Sequence, residues 1–160
     1  SGEGGYCMVK KALLILPCNS CVRFGDYSLC PNWRIVLKHV GHLVSAGVLD
    51  LAAIDSCKPG LVLWGGEDKL RWCDRNPRWD LLYGRDPLRL QLLIESVVAD
   101  LKELAVWYDV VASYVNVKAY RLALRTAAEI VGVRLLDLGP PKLNPLSYVK
   151  HAKELPLYFR

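Results

Sequence analysis

Among the 160 residues glutamine occurs once (Gln91), threonine once (Thr126), methionine once (Met8) and phenylalanine twice. Depletion of thermolabile amide side chains fits a hyperthermophile, and hyperthermophilic archaea are the setting in which intracellular disulfides are common. No apolar run approaches the roughly 20 residues of a membrane span. The start, Ser1-Gly2-Glu3-Gly4-Gly5-Tyr6-Cys7, lacks the basic region and apolar core of a secretory signal. Residues 1–8 read as a flexible leader or an expression remnant, with Met8 as a natural start, and a cytoplasmic location is expected. There is no phosphate loop, no dinucleotide glycine fingerprint and no nucleophile-elbow serine, which excludes the commonest nucleotide-hydrolase, dehydrogenase and serine-hydrolase designs.

Hydrophobic residues make up 52% and charged residues 23%. A chain of this size and balance buries a real core, so residues 9–160 are expected to form a single domain. The net charge of +5 accommodates an anionic partner such as RNA without being a nucleic-acid signature by itself.

Apolar runs and helical periods alternate along the chain. Residues 9–16, with Ala12-Leu13-Leu14-Ile15-Leu16 apolar on both faces, read as a strand inside a sheet covered on both sides. A helix is expected over 31–46, where Trp33, Val36, Leu37, Val40, Leu43 and Val44 follow the helical period and Gly47 suits the cap. A second strand is expected at 48–55, followed by a long connection, 61–85, with Trp64, Trp72 and Trp79. Asp86 as N-cap and Pro87 as first helical residue open a helix to about 105. A strand at 106–115, a helix at 117–131 stopped by Gly132, a strand at 133–138 and a helix at 145–155 complete the pattern. The expected fold is therefore α/β: a three-layer α/β/α sandwich around a parallel sheet of about four strands, in the order 2-1-3-4.

Ligands of such sheets bind outside the carboxyl ends of the strands. That edge collects Cys18, Asn19, Ser20, Cys21 and Arg23 after the first strand, and Asp55, Ser56, Cys57 and Lys58 after the second. It gains Ser113, Tyr114 and Asn116 after the third and Asp137 at the fourth. Lys118, Arg121 and Arg125, spaced three and four apart, share one face of the following helix. Lys142, Lys150, His151, Lys153 and Arg160 follow, beside Tyr148, Tyr158 and Phe159. Basic groups neutralise phosphates and aromatics stack on unpaired bases, while a solvated helix face and an ordinary docking helix give the same pattern. His39, His42 and His151 read as surface histidines.

Cys18 and Cys21 have two residues between them, and Cys57 and Cys73 have fifteen. Four such thiolates can hold zinc or an iron–sulfur cluster, and Cys18 or Cys21 can equally bridge to Cys57, with Cys30 and Cys73 as other candidates. The spacing resembles that of iron–sulfur uracil-DNA glycosylases, whose fold is also a small parallel sheet between helices. Disulfides or structural thiols are the expected reading, with no cofactor.

A second resemblance covers more of the chain. The first strand running into Pro17-Cys18, then Arg23-Phe24 and Tyr27-Ser28, looks like a degenerate form of a motif in the core domain of archaeosine synthase. Val22-Arg23-Phe24 stands where that family has a Lys-Pro-Tyr triplet. Trp79-Asp80-Leu81-Leu82-Tyr83-Gly84 and the helix after it fall where the family has its Tyr-Asp segment and long helix. The resemblance implies a protein handling transfer RNA, another RNA or a nucleobase, with Cys18, Asn19 and Arg23 contacting the base. Asp55 or Asp137 would then act as acid/base or hydrogen-bond acceptor, and Lys118, Arg121 and Arg125 would hold phosphate. The competing expectation is a non-catalytic domain that binds a protein partner and keeps a disulfide-locked sheet edge.

Overall fold

The computed structural model describes residues 11–17, 31–55, 59–64 and 86–159. In chain order they form β1 (Ala12–Pro17), α1 (Pro31–Ser45), β2 (Leu49–Asp55), β3 (Gly60–Leu63), α2 (Pro87–Leu104), a 3-10 turn (Ala105–Trp107) and β4 (Val110–Ser113). Then come α3 (Lys118–Val131), β5 (Leu135–Asp137), α4 (Pro145–His151) and a closing 3-10 segment (Ala152–Tyr158). Asp86 caps α2 by accepting from the backbone N–H groups of Leu88 and Arg89, and Pro87 supplies a pre-set first residue. Gly132 ends α3 at φ +82°, a left-handed conformation that glycine adopts without steric cost.

The sheet runs β3-β2-β1-β4-β5. The pairings β1–β2, β1–β4 and β4–β5 are parallel, and β2–β3 is antiparallel. The α/β class and the mostly parallel sheet between helices agree with the pattern of the sequence. The strand count and the order are corrected: five strands rather than about four, with β3 added at the edge beyond β2. Gly60–Leu63 falls largely within the stretch expected to be a connection. Gly60 sits at φ +132°, and the Leu61 N–H donates to Asp100 of α2 at 2.8 Å, so a helix carboxylate fastens the start of this edge strand.

β1 is buried along its whole length because both faces are covered. Ala12, Leu14 and Leu16 point into one core with Trp33, Val36 and Val40 of α1, joined by Tyr148, Ala152 and Leu155 from the carboxyl-terminal segment. Leu13 and Ile15 point into the other, with Leu93, Val97 and Leu101 of α2 and Ala119, Tyr120 and Ala123 of α3. This is the period-2 alternation of a strand, and it fixes the register, since a one-residue slip would exchange the two cores. The Trp33 indole N–H donates to the Pro17 carbonyl at 3.1 Å, tying α1 to the carboxyl end of β1.

Three expected boundaries also shift. Val106 and Trp107 belong to an exposed 3-10 turn, not to the third strand. The fourth strand is three residues long. The last helix ends at His151 and continues as 3-10 turns, where Pro156 has no N–H with which to extend an α-helical ladder.

Candidate functional site

Because β1, β2, β4 and β5 are parallel, their carboxyl ends, Pro17, Asp55, Ser113 and Asp137, lie along one edge of the sheet. Ser113 and Asp137 are direct partners in the β4–β5 register, and the Leu138 N–H donates to the Ser113 carbonyl at 2.8 Å. Over this edge opens a cavity of about 300 Å³ whose walls include Tyr114, Asp137, Gly139, His151, Glu154 and Tyr158. That volume is at the small end of ligand sites.

Asp137 is the centre of charge. Its Oδ2 accepts from Arg121 Nε at 2.8 Å, Arg125 Nε at 2.8 Å and Arg125 Nη2 at 2.6 Å, while its Oδ1 accepts from the Gly139 N–H at 3.2 Å. Burial alone would push this carboxyl up, but the hydrogen bonds from Arg121 and Gly139, then the Arg121 charge and Arg125, outweigh it and hold it below the ordinary carboxylate range. Asp137 is therefore an ionised acceptor and not a proton donor at neutral pH. Gly139 makes the close approach possible: a Cβ there would stand 2.9 Å from the Val115 carbonyl and 3.2 Å from Asp137 Oδ1.

Two guanidiniums share one carboxylate, which leaves the cluster with net positive charge. Arg121 spends its Nε on Asp137, and its Nη groups have no hydrogen-bond partner among the described residues. The same helix begins here, with Lys118 exposed, no acidic residue in the first turn, and at the N-cap a valine that offers no side-chain acceptor. Cations at the positive end of a helix dipole are unfavourable in isolation. An anion placed there removes that cost.

Tyr114 is buried and holds the floor of the cavity to α4. Its hydroxyl donates to the Tyr148 carbonyl, and the Tyr148 hydroxyl donates back to the Tyr114 carbonyl at 3.2 Å, with ring centroids 4.3 Å apart. Burial, and then the negative charge of Glu154, push the Tyr114 hydroxyl above its usual range, so it stays a donor. Asn116 Oδ1 is shielded from solvent with no hydrogen-bond partner among the described residues.

The residues expected at the edge divide into two groups. Tyr114, Asn116, Lys118, Arg121, Arg125 and Asp137 are brought together at the β4–β5 end. Cys18, Asn19, Ser20, Cys21, Arg23, Ser56, Cys57, Lys58 and Cys73 lie outside the described residues, as does the side chain of Asp55. With them go the zinc, cluster and disulfide expectations. Among the described residues no three His, Cys, Asp or Glu side chains gather as a metal site. Of the aromatics near the carboxyl terminus, Tyr148 and Phe159 are core residues, and Tyr158 alone of the three is exposed.

The pairing of His151 with Glu154 is new to the structure. His151 Nδ1 lies 2.7 Å from Glu154 Oε2, and both line the cavity. Their three-residue spacing is visible in the sequence, but their place in the wall beside β5 depends on how the last segment folds back. Among the described residues no helix is long and apolar enough to cross a membrane. No protein-family model, no curated protein and no solved structure matches this chain.

Proposed function

We propose that this chain handles RNA or a nucleobase, in keeping with its resemblance to transfer-RNA modification enzymes. The nucleotide sits in the crevice over β4 and β5, with phosphate on Lys118, Arg121 and Arg125 and the base between Tyr158 and the Asp137–Gly139 turn. The observation that carries this reading is the pair of arginines converging on Asp137 at an uncapped helix start, three cations with Lys118 against one carboxylate. Ionised Asp137 acts as the fixed acceptor that orders both guanidiniums. Arg121 Nη groups remain to take phosphate oxygens in the two-pronged way guanidinium allows. Exposed Tyr158 supplies a stacking face.

Binding of transfer RNA by the full chain, followed by fluorescence anisotropy over a range of salt, tests this reading. The double variant Lys118→Gln/Arg125→Gln leaves the Arg121–Asp137 pair in place. It should bind more weakly at low salt. Its plot of log affinity against log salt should be shallower by about 0.7–0.9 for each phosphate that is no longer neutralised. An unchanged affinity and slope would remove the basic face from the account.

A further inference from the structure

The imidazole of His151 forms a carboxylate-oriented pair in the wall of the crevice. An ionised carboxylate only accepts hydrogen bonds, so with Glu154 Oε2 at 2.7 Å the proton of the neutral ring resides on Nδ1. Nε2 then carries the lone pair, and it has no partner among the described residues. The side chain is 30% exposed. It lines the crevice and also an adjoining cavity of about 320 Å³ that includes Lys142, Asn144 and Lys150.

An i,i+3 ion pair at the end of a helix stabilises it only slightly, and surface pairs generally contribute little. The fold does not depend on this one. The start of α4 is capped by Asn144, whose Oδ1 accepts from the Ser147 N–H at 2.8 Å, and the helix is anchored to β4 by the reciprocal Tyr114–Tyr148 bonds. What distinguishes the pair is its placement, facing the same cavity as ionised Asp137 and exposed Tyr158.

We propose that His151 and Glu154 form a proton-transfer dyad in the crevice, in which His151 Nε2 takes the ring N–H proton of a bound base while Glu154 keeps Nδ1–H in place. The proposal rests on the reading of the crevice as a nucleotide site. A carboxylate behind an imidazole fixes the tautomer and offsets the charge of the imidazolium that forms, the arrangement that makes histidine a general base in hydrolase triads. The balance is simple. The proton leaves a ring nitrogen of the base, resides on Nε2 beside the anionic base, and returns to the base, so the charges cancel and no co-reactant is consumed. The chemistry selects bases that carry a ring N–H at the edge they present. Uracil does so and cytosine presents a lone pair instead, so the two monophosphates differ at this contact while sharing the phosphate.

The test uses the full chain labelled with ¹⁵N in its histidine rings, titrated with uridine and with cytidine 5′-monophosphate. In the free protein His151 should show the Nδ1–H tautomer, and Glu154→Ala should shift it toward Nε2–H. Uridine monophosphate should move the Nε2 signal toward the imidazolium position, and cytidine monophosphate should not. His151→Ala should weaken the uridine nucleotide about tenfold, as loss of a hydrogen bond with charge character implies, and leave the cytidine nucleotide unchanged. If both nucleotides bind alike and neither moves the His151 signals, the dyad is overturned while the phosphate reading stands. If neither nucleotide binds, the dyad and the nucleotide reading both fall.

Discussion

Asp137 is where charge, burial and backbone meet most tightly. It is 16% exposed and its partner Arg121 is 23% exposed, whereas Arg125 is 57% exposed and more fully screened by water. Replacing the carboxylate leaves Arg121 half-buried without its anion, so Asp137→Asn should lower stability by about 1.5–3 kcal/mol at pH 7, the range for a hydrogen bond to a charged group. The pH dependence follows from the direction of its shift. A carboxyl held lower in the folded chain than in the unfolded one contributes its full stability above the unfolded value, about 3.9, and loses it as pH falls through the folded value. Urea titrations should therefore find the gap between the two proteins wide at pH 7 and closing below about pH 4. A gap that stayed constant with pH would mean the carboxylate contributes no differential proton binding.

Asp137 is legible from the sequence as a carboxyl-edge residue, because a short apolar strand ending in aspartate before Gly139-Pro140-Pro141 can end only there. Its bond to Arg121 and Arg125 is not. In the sequence the two arginines are a basic helix face, and only the β4–β5 pairing brings the carboxylate under that face. His151 looks like a surface residue for the complementary reason, since nothing local in the sequence says which wall a terminal helix will form.

Among the elements, the helices that announce themselves best carry their own stop and start chemistry. α2 has Asp86 and Pro87 at its start, and removing the cap with Asp86→Ala should cost about 1 kcal/mol, measurable as a lower denaturation midpoint with unchanged slope. An unchanged midpoint would show that the N–H groups of Leu88 and Arg89 are satisfied equally well by water. α3 has no such cap and still forms, because Ala119, Tyr120, Ala123, Leu124 and Ala127 pack a continuous stripe against the sheet and α2. α2 thus starts on a capping aspartate, while the α3 start carries Lys118 and has no side-chain cap.

β3 escapes the sequence pattern for a different reason. Four residues, Gly-Leu-Val-Leu, after a proline are too few to display an alternation. What makes them a strand is non-local: pairing with β2 from Ala52 to Asp55 and the bond from Leu61 to Asp100 of α2, 39 residues away. The central parallel strands need no such help, since uninterrupted apolar runs between helical periods define them.

At the scale of the whole molecule, parallel topology decides where chemistry can collect. It delivers Ser113 and Asp137 to one edge and directs the start of α3 there, while the exposed Val106 and Trp107 sit in the turn that precedes β4, at the opposite, amino edge. The returning carboxyl-terminal segment then closes a wall, with His151, Glu154 and Tyr158, around the β4–β5 end. Class and layering are thus readable from order and periodicity, and so is the carboxyl edge to which the candidate residues of β4 and β5 belong. The composition of that wall is not, because it depends on how the segment from Pro145 onward docks through Tyr148 and Leu155 into the α1 side of the core.

The proposed nucleotide site lies at the carboxyl edge. It is tested most directly by backbone amide chemical-shift mapping while a short single-stranded RNA is titrated into the full chain. Perturbations should concentrate on Ser113 to Arg121, on Asp137 to Gly139, and on His151 and Tyr158. Perturbations centred instead on Lys11, Val48 and Asp109 at the amino edge, or none at all at saturating RNA, would contradict it.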